Sequence, residues 1–123
     1  MESKIKITPF DDGLVIKFYG EVDSDKVQLY RYKIRDEMIK HGPRLLLFDF
    51  KDVTFLDSSG IGLILGRFNE ISKVRGICGL MNLSSYTSKI VKISGLLQLM
   101  EEYKSLSDFK KKVGIKQWWI KWK

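Results

Sequence analysis

Leu45-Leu46-Leu47-Phe48 is an unbroken apolar run near the middle of a 123-residue chain. Consecutive strand residues point to opposite faces, so a run without polar interruption fits a central strand covered on both sides. Such cover comes from helices, and the flanking sequence supplies them. Val27, Tyr30, Ile34 and Met38 recur at helical steps before the run, with Leu29 and Ile39 off the stripe. Ile61, Ile64, Leu65, Phe68, Ile71 and Val74 recur after it. Helices on either side of a buried strand imply crossover connections and a parallel or mixed sheet.

The remaining elements follow from local chemistry. Ile5 and Ile7 alternate with Lys4 and Lys6 as a half-exposed strand, and Pro9, Asp11, Asp12 and Gly13 form a turn cluster. Leu14–Tyr19 is the antiparallel partner strand, stopped by Gly20. Asp23 or Ser24 caps the first helix, which ends at His41-Gly42-Pro43. The central strand runs on through Asp49-Phe50-Lys51-Asp52 into Val53-Thr54-Phe55-Leu56, and Asp57-Ser58-Ser59-Gly60 starts the second helix, with Gly76 as its stop. Ile77–Met81 is a strand. Ser84 or Ser85 starts a third helix, with Tyr86, Ile90 and Ile93 inward and Gly95 at its end. Leu96–Tyr103 reads as a strand, and Ser107 or Asp108 caps a last helix carrying Phe109 and Val113. The order is β-β-α-β-α-β-α-β-α, without repeats or a domain linker; Gly114 is the one candidate hinge.

Charge and composition narrow the function classes. Apolar residues at 44% and charged residues at 30% describe a chain able to bury a core rather than a disordered one. The net charge of +7 invites a nucleic-acid reading. Its distribution argues otherwise: residues 1–103 hold 15 basic and 14 acidic residues, whereas residues 104–123 hold seven lysines against Asp108. Cys78 and His41 are the only residues of their kinds, so an intrachain disulfide and cysteine-rich zinc sites are excluded. The start lacks the apolar stretch of a signal peptide, and no run suits a membrane span. A cytoplasmic setting is expected, with no cofactor and no metal.

Catalytic motifs fail on their spacing. From Gly60-Ile61-Gly62 a dinucleotide fingerprint needs its third glycine where Leu65 stands, and a phosphate loop is broken by Leu65-Gly66-Arg67. Gly62 and Gly66, four apart on one helix face, read instead as a place of close backbone approach. Ser58 lacks the glycine two residues before it that a hydrolase elbow requires. His41 reads as a solvated residue near a helix C-terminus. No catalytic set assembles, and the chain is expected not to be an enzyme.

Thr54-Phe55-Leu56-Asp57-Ser58-Ser59-Gly60-Ile61-Gly62-Leu63-Ile64-Leu65-Gly66-Arg67 carries more information. It resembles the anti-sigma factor antagonists, single-domain STAS proteins, and among them those that control the first forespore sigma factor of spore-forming bacteria. Gly20-Glu21-Val22-Asp23 is similar to the family segment before helix one, Leu45–Phe50 to its central strand, and Ile93-Ser94-Gly95-Leu96 to its Met-Ser-Gly-Leu turn. The resemblance covers about residues 5–113. It implies an α/β fold, a mixed sheet with helices mainly on one face. It implies partner switching in transcription: the unphosphorylated antagonist binds an anti-sigma factor that is also a serine kinase, the sigma factor is released, and a serine phosphatase resets the cycle. By the same resemblance Ser58 is the phosphorylated serine and Asp23 the acidic residue beside it. Glu21, Ser59, Gly60 and Gly62 then belong to the partner-binding surface, with Asp57 adjoining the phosphate. Ser59 is the second choice of acceptor. A phosphate at Ser58 would sit at a helix N-terminus, whose free amides favour an anion, and would add about −1.5 to −2 charge to an interface.

The chain divides into a STAS domain over 1–113 and a basic, Trp-rich extension over 114–123. As a helix the extension places Ile115, Trp118, Trp119 and Trp122 on one face. Packing on the domain is the preferred role for three indoles; a membrane surface is the alternative partner, and no nucleic-acid module is present. Other readings of the whole chain are a STAS adaptor of a stress-signalling scaffold or a membrane-surface module.

Overall fold

The computed structural model describes the backbone of residues 2–121, with side chains described through Gly114. β1 (Lys4–Phe10) and β2 (Gly13–Val22) form a hairpin. α1 (Ser24–His41), β3 (Leu45–Leu56), α2 (Ser58–Lys73), β4 (Ile77–Met81), α3 (Ser85–Ser94), α4 (Leu96–Leu99), β5 (Glu101–Tyr103) and α5 (Leu106–Lys121) follow. The five strands lie in the order β1-β2-β3-β4-β5. Only β1 is antiparallel to its neighbour. The mixed α/β sheet expected from the pattern is therefore present.

Alternation along β3 shows why the central run has no polar break. Leu46, Phe48 and Phe50 face one core with Leu14, Ile16 and Phe18 of β2, covered by α1 through Val27, Tyr30 and Ile34, by α2 through Leu63, Ile64 and Ile71, and by Val91 of α3. Leu45 and Leu47 face a second, smaller core with Met81, Tyr103 and the α5 residues Phe109 and Val113. Four helices share the first face and α5 alone covers the second, as "mainly on one face" requires. Phe18 stacks on Phe48 at 6.3 Å between centroids, and Tyr103 meets Phe109 edge-on at 4.8 Å.

Several local expectations are corrected. β1 runs through Pro9 to Phe10, which an edge strand tolerates because the missing amide faces no partner. Gly20 does not stop β2. It adopts φ +73° beside a register shift and the strand continues to Val22, held by pairing with β3. The Leu96–Tyr103 strand is instead the short helix α4 followed by β5. The first turn of α5 is capped by Ser105, whose Oγ accepts the Asp108 amide at 3.0 Å, rather than by Ser107 or Asp108. α2 turns a different arc inward: Leu63 and Arg67 are buried, whereas Leu65 and Val74 are exposed. In α3 the buried residues are Thr87 and Val91; Tyr86 and Ile93 are exposed. α2 ends at Lys73 with Val74 as its C-cap, and Gly76 is required for its close approach to the Arg44 carbonyl. No neighbour approaches Gly62 or Gly66 within 4 Å of an added Cβ, so neither supports close packing.

Other expectations hold. Asp23 caps α1, and Gly42 ends it at φ 54°. Gly95 ends α3 at φ 85°. His41 lies in the last turn of α1, 3.1 Å from Glu37. α5 is helical through Gly114, which is no break in the backbone. The proposed face of Ile115, Trp118, Trp119 and Trp122 lies outside the described side chains. No helix among the described residues is long and apolar enough to cross a membrane.

Candidate functional site

β2 and β3 run parallel and end in register, Val22 beside Leu56. Each is followed by an aspartate that caps the next helix, so two helix N-termini emerge side by side. Asp23 Oδ1 accepts the Asp25 amide at 3.1 Å. Asp57 Oδ1 accepts the amides of Ser59 at 2.9 Å and Gly60 at 3.2 Å. These bonds satisfy first-turn donors that the helix itself leaves open. The Asp57 amide donates to the Val22 carbonyl at 3.4 Å, tying the two strand ends together.

Gly60 makes that junction possible. A Cβ there would stand 2.6 Å from Leu56 Cδ1 and 2.8 Å from the Val22 carbonyl oxygen. The first turn of α2 thus lies across Val22, between Glu21 and Asp23 in sequence. Ser58 occupies the first position of α2, exposed, and its hydroxyl has no hydrogen bond to any described residue. Ser59 is half-buried beside it. Gly62, one turn further on, is exposed with open space before it. The structure therefore brings Glu21, Asp23, Asp57, Ser58, Ser59 and Gly60 to one end of the sheet, with Gly62 on the adjoining outer face of α2.

Carboxylates gather at this end, and Lys26 answers two of them. Lys26 Nζ lies 3.2 Å from Asp23 Oδ2 and 3.3 Å from Glu21 Oε2. Burial pushes the Asp23 carboxyl up, but the hydrogen bond and charge of Lys26, with the Asp25 amide, outweigh it and hold the carboxyl below its ordinary value. The Asp23 hydrogen bond raises the Lys26 ammonium in turn, against partial desolvation and with help from Glu21. Tyr30 lies beneath, 2% exposed, its hydroxyl buried without a hydrogen-bond partner and within the field of both Lys26 and Asp23.

Two contributors were not found from sequence. Lys26 was legible in principle, since Glu21-x-Asp23-x-x-Lys26 places a cation at short range from two acids. Tyr86 was not: its phase on α3 reads as core. Its hydroxyl accepts the Leu56 amide at 3.2 Å, bracing the last residue of β3 before Asp57. Tyr86 and Phe55 are both exposed.

The arrangement suits an exposed hydroxyl that gains and loses an anionic group on a shaped surface. Asp57 precedes it, and among the described residues no histidine or lysine bonds to Ser58 to serve as a base. Cys78 is buried far from such work, its thiol pushed up to about 12 by desolvation. Among the described residues no group of three His, Cys, Asp or Glu side chains could hold a metal ion.

Comparison with known proteins places these observations in a lineage. The profile of the STAS domain matches residues 4–109. The chain is 35% identical over 85 residues to the anti-sigma F factor antagonist of Lysinibacillus sphaericus, covering 69% of this chain and 73% of that one. Among solved structures it is similar to the anti-sigma factor antagonist SpoIIAA in its unphosphorylated form, with TM-score 0.78 and 28% identity over 90% of this chain and 97% of that one. The phosphorylated form of the Bacillus cell fate determinant SpoIIAA matches with TM-score 0.71 and 29% identity, covering 89% of this chain and 99% of that one.

Proposed function

The chain belongs to the STAS domain family, and on that premise we propose that it is an anti-sigma factor antagonist switched by phosphorylation of Ser58. One observation carries the reading: the first residue of α2 is a serine with an exposed, unbonded hydroxyl, at one of two aspartate-capped helix starts that emerge from paired strand ends. The unphosphorylated surface of Glu21, Asp23, Asp57, Ser58, Ser59, Gly60 and Gly62 binds an anti-sigma factor that is also a serine kinase, and a sigma factor is freed. A serine phosphatase restores that form. Residues 1–113 form the STAS domain that carries this activity, and residues 114–123 are its basic, Trp-rich C-terminal extension. The protein is the substrate of the kinase and has no catalysis of its own.

Physical chemistry supports a switch without a change of fold. The α2 N-terminus accommodates an anion, so the helix survives the modification. The added charge of about −1.5 to −2 falls among carboxylates in a surface that must be desolvated to dock. An unpaired charge in an interface costs several kcal/mol, while a tenfold loss of affinity needs only about 1.4 kcal/mol. Partner switching in sporulation follows from likeness to the sigma F antagonists. Incubation with a purified kinase-type anti-sigma factor and ATP tests the reading. A mass gain of one phosphate at Ser58, with loss of complex formation, is expected. An unmodified Ser58 after exposure to a kinase active on its own antagonist overturns it.

A further inference from the structure

We propose that Lys26 is the counter-ion of phosphorylated Ser58: it neutralises Glu21 and Asp23 while the serine is free and turns to the phosphate once it is installed. The inference rests on the reading of Ser58 as the modified residue. It starts from an imbalance of charge. Three carboxylates, Glu21, Asp23 and Asp57, lie at the paired strand ends from which α1 and α2 start, and Lys26 is bonded to two of them. A phosphate would roughly double the uncompensated negative charge at this end. The next cation along α2 is Arg67, nine residues or about 13 Å further on and already bonded to Glu70 at 2.6 Å.

Placement favours Lys26 as the responder. It stands in the first turn of α1, as Ser58 stands in the first turn of α2, and both turns start from strand ends paired through Val22 and Leu56. The first turn of α2 lies against the Val22 carbonyl, one residue from each of the two acids that Lys26 holds. The groups facing the ammonium are Glu21, Asp23 and the buried Tyr30 hydroxyl. A lysine carries three donors on a flexible four-carbon stem, so it can change acceptors without moving the helix. A dianion attracts it more strongly than either single carboxylate at similar range.

The exchange has a consequence for docking. When Lys26 turns to the phosphate, Asp23 and Glu21 lose their partner. Phosphorylation then alters the surface twice, by the group it adds and by the carboxylates it leaves uncompensated. A partner that tolerates the neutralised acids of the free form meets a more anionic face over a wider area.

Phosphoserine placed at position 58 of the full chain during translation allows a direct test, because the phosphate is then present whether or not any kinase recognises this protein. The second ionisation of the phosphate is followed by phosphorus NMR at low ionic strength. With Lys26 present its pKa lies below that of a free phosphoserine, and Lys26→Met raises it by about 0.5. Lys26→Arg restores the lower value. Lys33→Met, on the same helix about 10 Å further along, leaves it unchanged. Circular dichroism checks that every variant is folded. A phosphate pKa that ignores Lys26→Met, or that moves equally with Lys33→Met, overturns the proposal. Failure of the kinase to modify Ser58 would instead count against the switch reading and leave this ionisation result standing.

Discussion

The inner and outer faces of the first turns of α2 are built from the same residue type for opposite reasons. Gly60 faces inward and is glycine because a methyl group would collide with Leu56 and the Val22 carbonyl. Gly62 faces outward and has nothing within 4 Å of an added Cβ. Folding needs the first and not the second. A glycine in an exposed helix costs stability relative to alanine, so what Gly62 offers is a low, open surface one turn from Ser58. On this helix the inner face carries the fold and the outer face is free for a partner.

The largest effect should come from breaking the inner face. Gly60→Ala is expected to lower the unfolding free energy by about 3 kcal/mol, read from urea denaturation, since a backbone carbonyl of the central sheet cannot yield easily. A wild-type midpoint would show that α2 can retreat from β2. Ser58→Asp tests the outer face. Its stability should stay within about 0.5 kcal/mol of wild type, while affinity for the anti-sigma factor falls at least about tenfold, near 1.4 kcal/mol; Ser58→Ala should bind as wild type. Calorimetric titration distinguishes these, and equal affinity of the two variants would remove charge as the cause. Gly62→Ala should raise stability by about 0.8 kcal/mol through helix propensity. A loss of stability there would mean that the outer face is packed after all.

The smallest effect concerns pH. Asp23 has a lowered folded pKa, so its contribution to stability is complete above its unfolded value of 3.8 and is lost as pH falls through the folded value. Lys26 has a raised folded pKa, so its contribution is complete below 10.5 and fades as pH rises through the folded value. Between those limits Lys26→Met should lower the thermal midpoint slightly and by a constant amount. In stronger acid the difference from wild type should vanish. A gap that persists below pH 2 would assign the effect to packing of the lysine stem.

The same helix shows where sequence reasoning stops. α1 was legible because its buried residues Val27, Tyr30 and Ile34 follow one spacing and its outer face is largely polar. α2 carries apolar residues on more than one arc: Ile61, Leu63, Ile64, Leu65, Phe68, Ile71 and Val74. Which arc turns inward depends on what packs against it, and the neighbours chose Leu63 and Ile64 over Leu65 and Val74. Arg67 was beyond reach of the pattern. It lies buried with Nη2 on Glu70 while Nε and Nη1 have no partner, an arrangement that residue type argues against. Tyr86 failed for a related reason, since an aromatic in phase with a stripe is usually core, and here its hydroxyl braces a strand end instead.

The sequence by itself determined the order of strands and helices after the hairpin, apart from the Leu96–Tyr103 segment, and the central strand. It also placed the two helix starts beside the site, at Asp23 or Ser24 and at the Asp57-Ser58-Ser59-Gly60 segment, and the structure chose the aspartate at each. Those properties arise from periodicity and from side chains bonding amides two or three residues away, which are local causes. Tertiary structure alone decided that the Asp23 and Asp57 helix starts lie side by side, that Gly60 is indispensable, and that the local cluster of Glu21, Asp23 and Lys26 stands at the same sheet end as Ser58. Each depends on the parallel register of β2 and β3, a long-range pairing that brings together chain segments separated by the whole of α1.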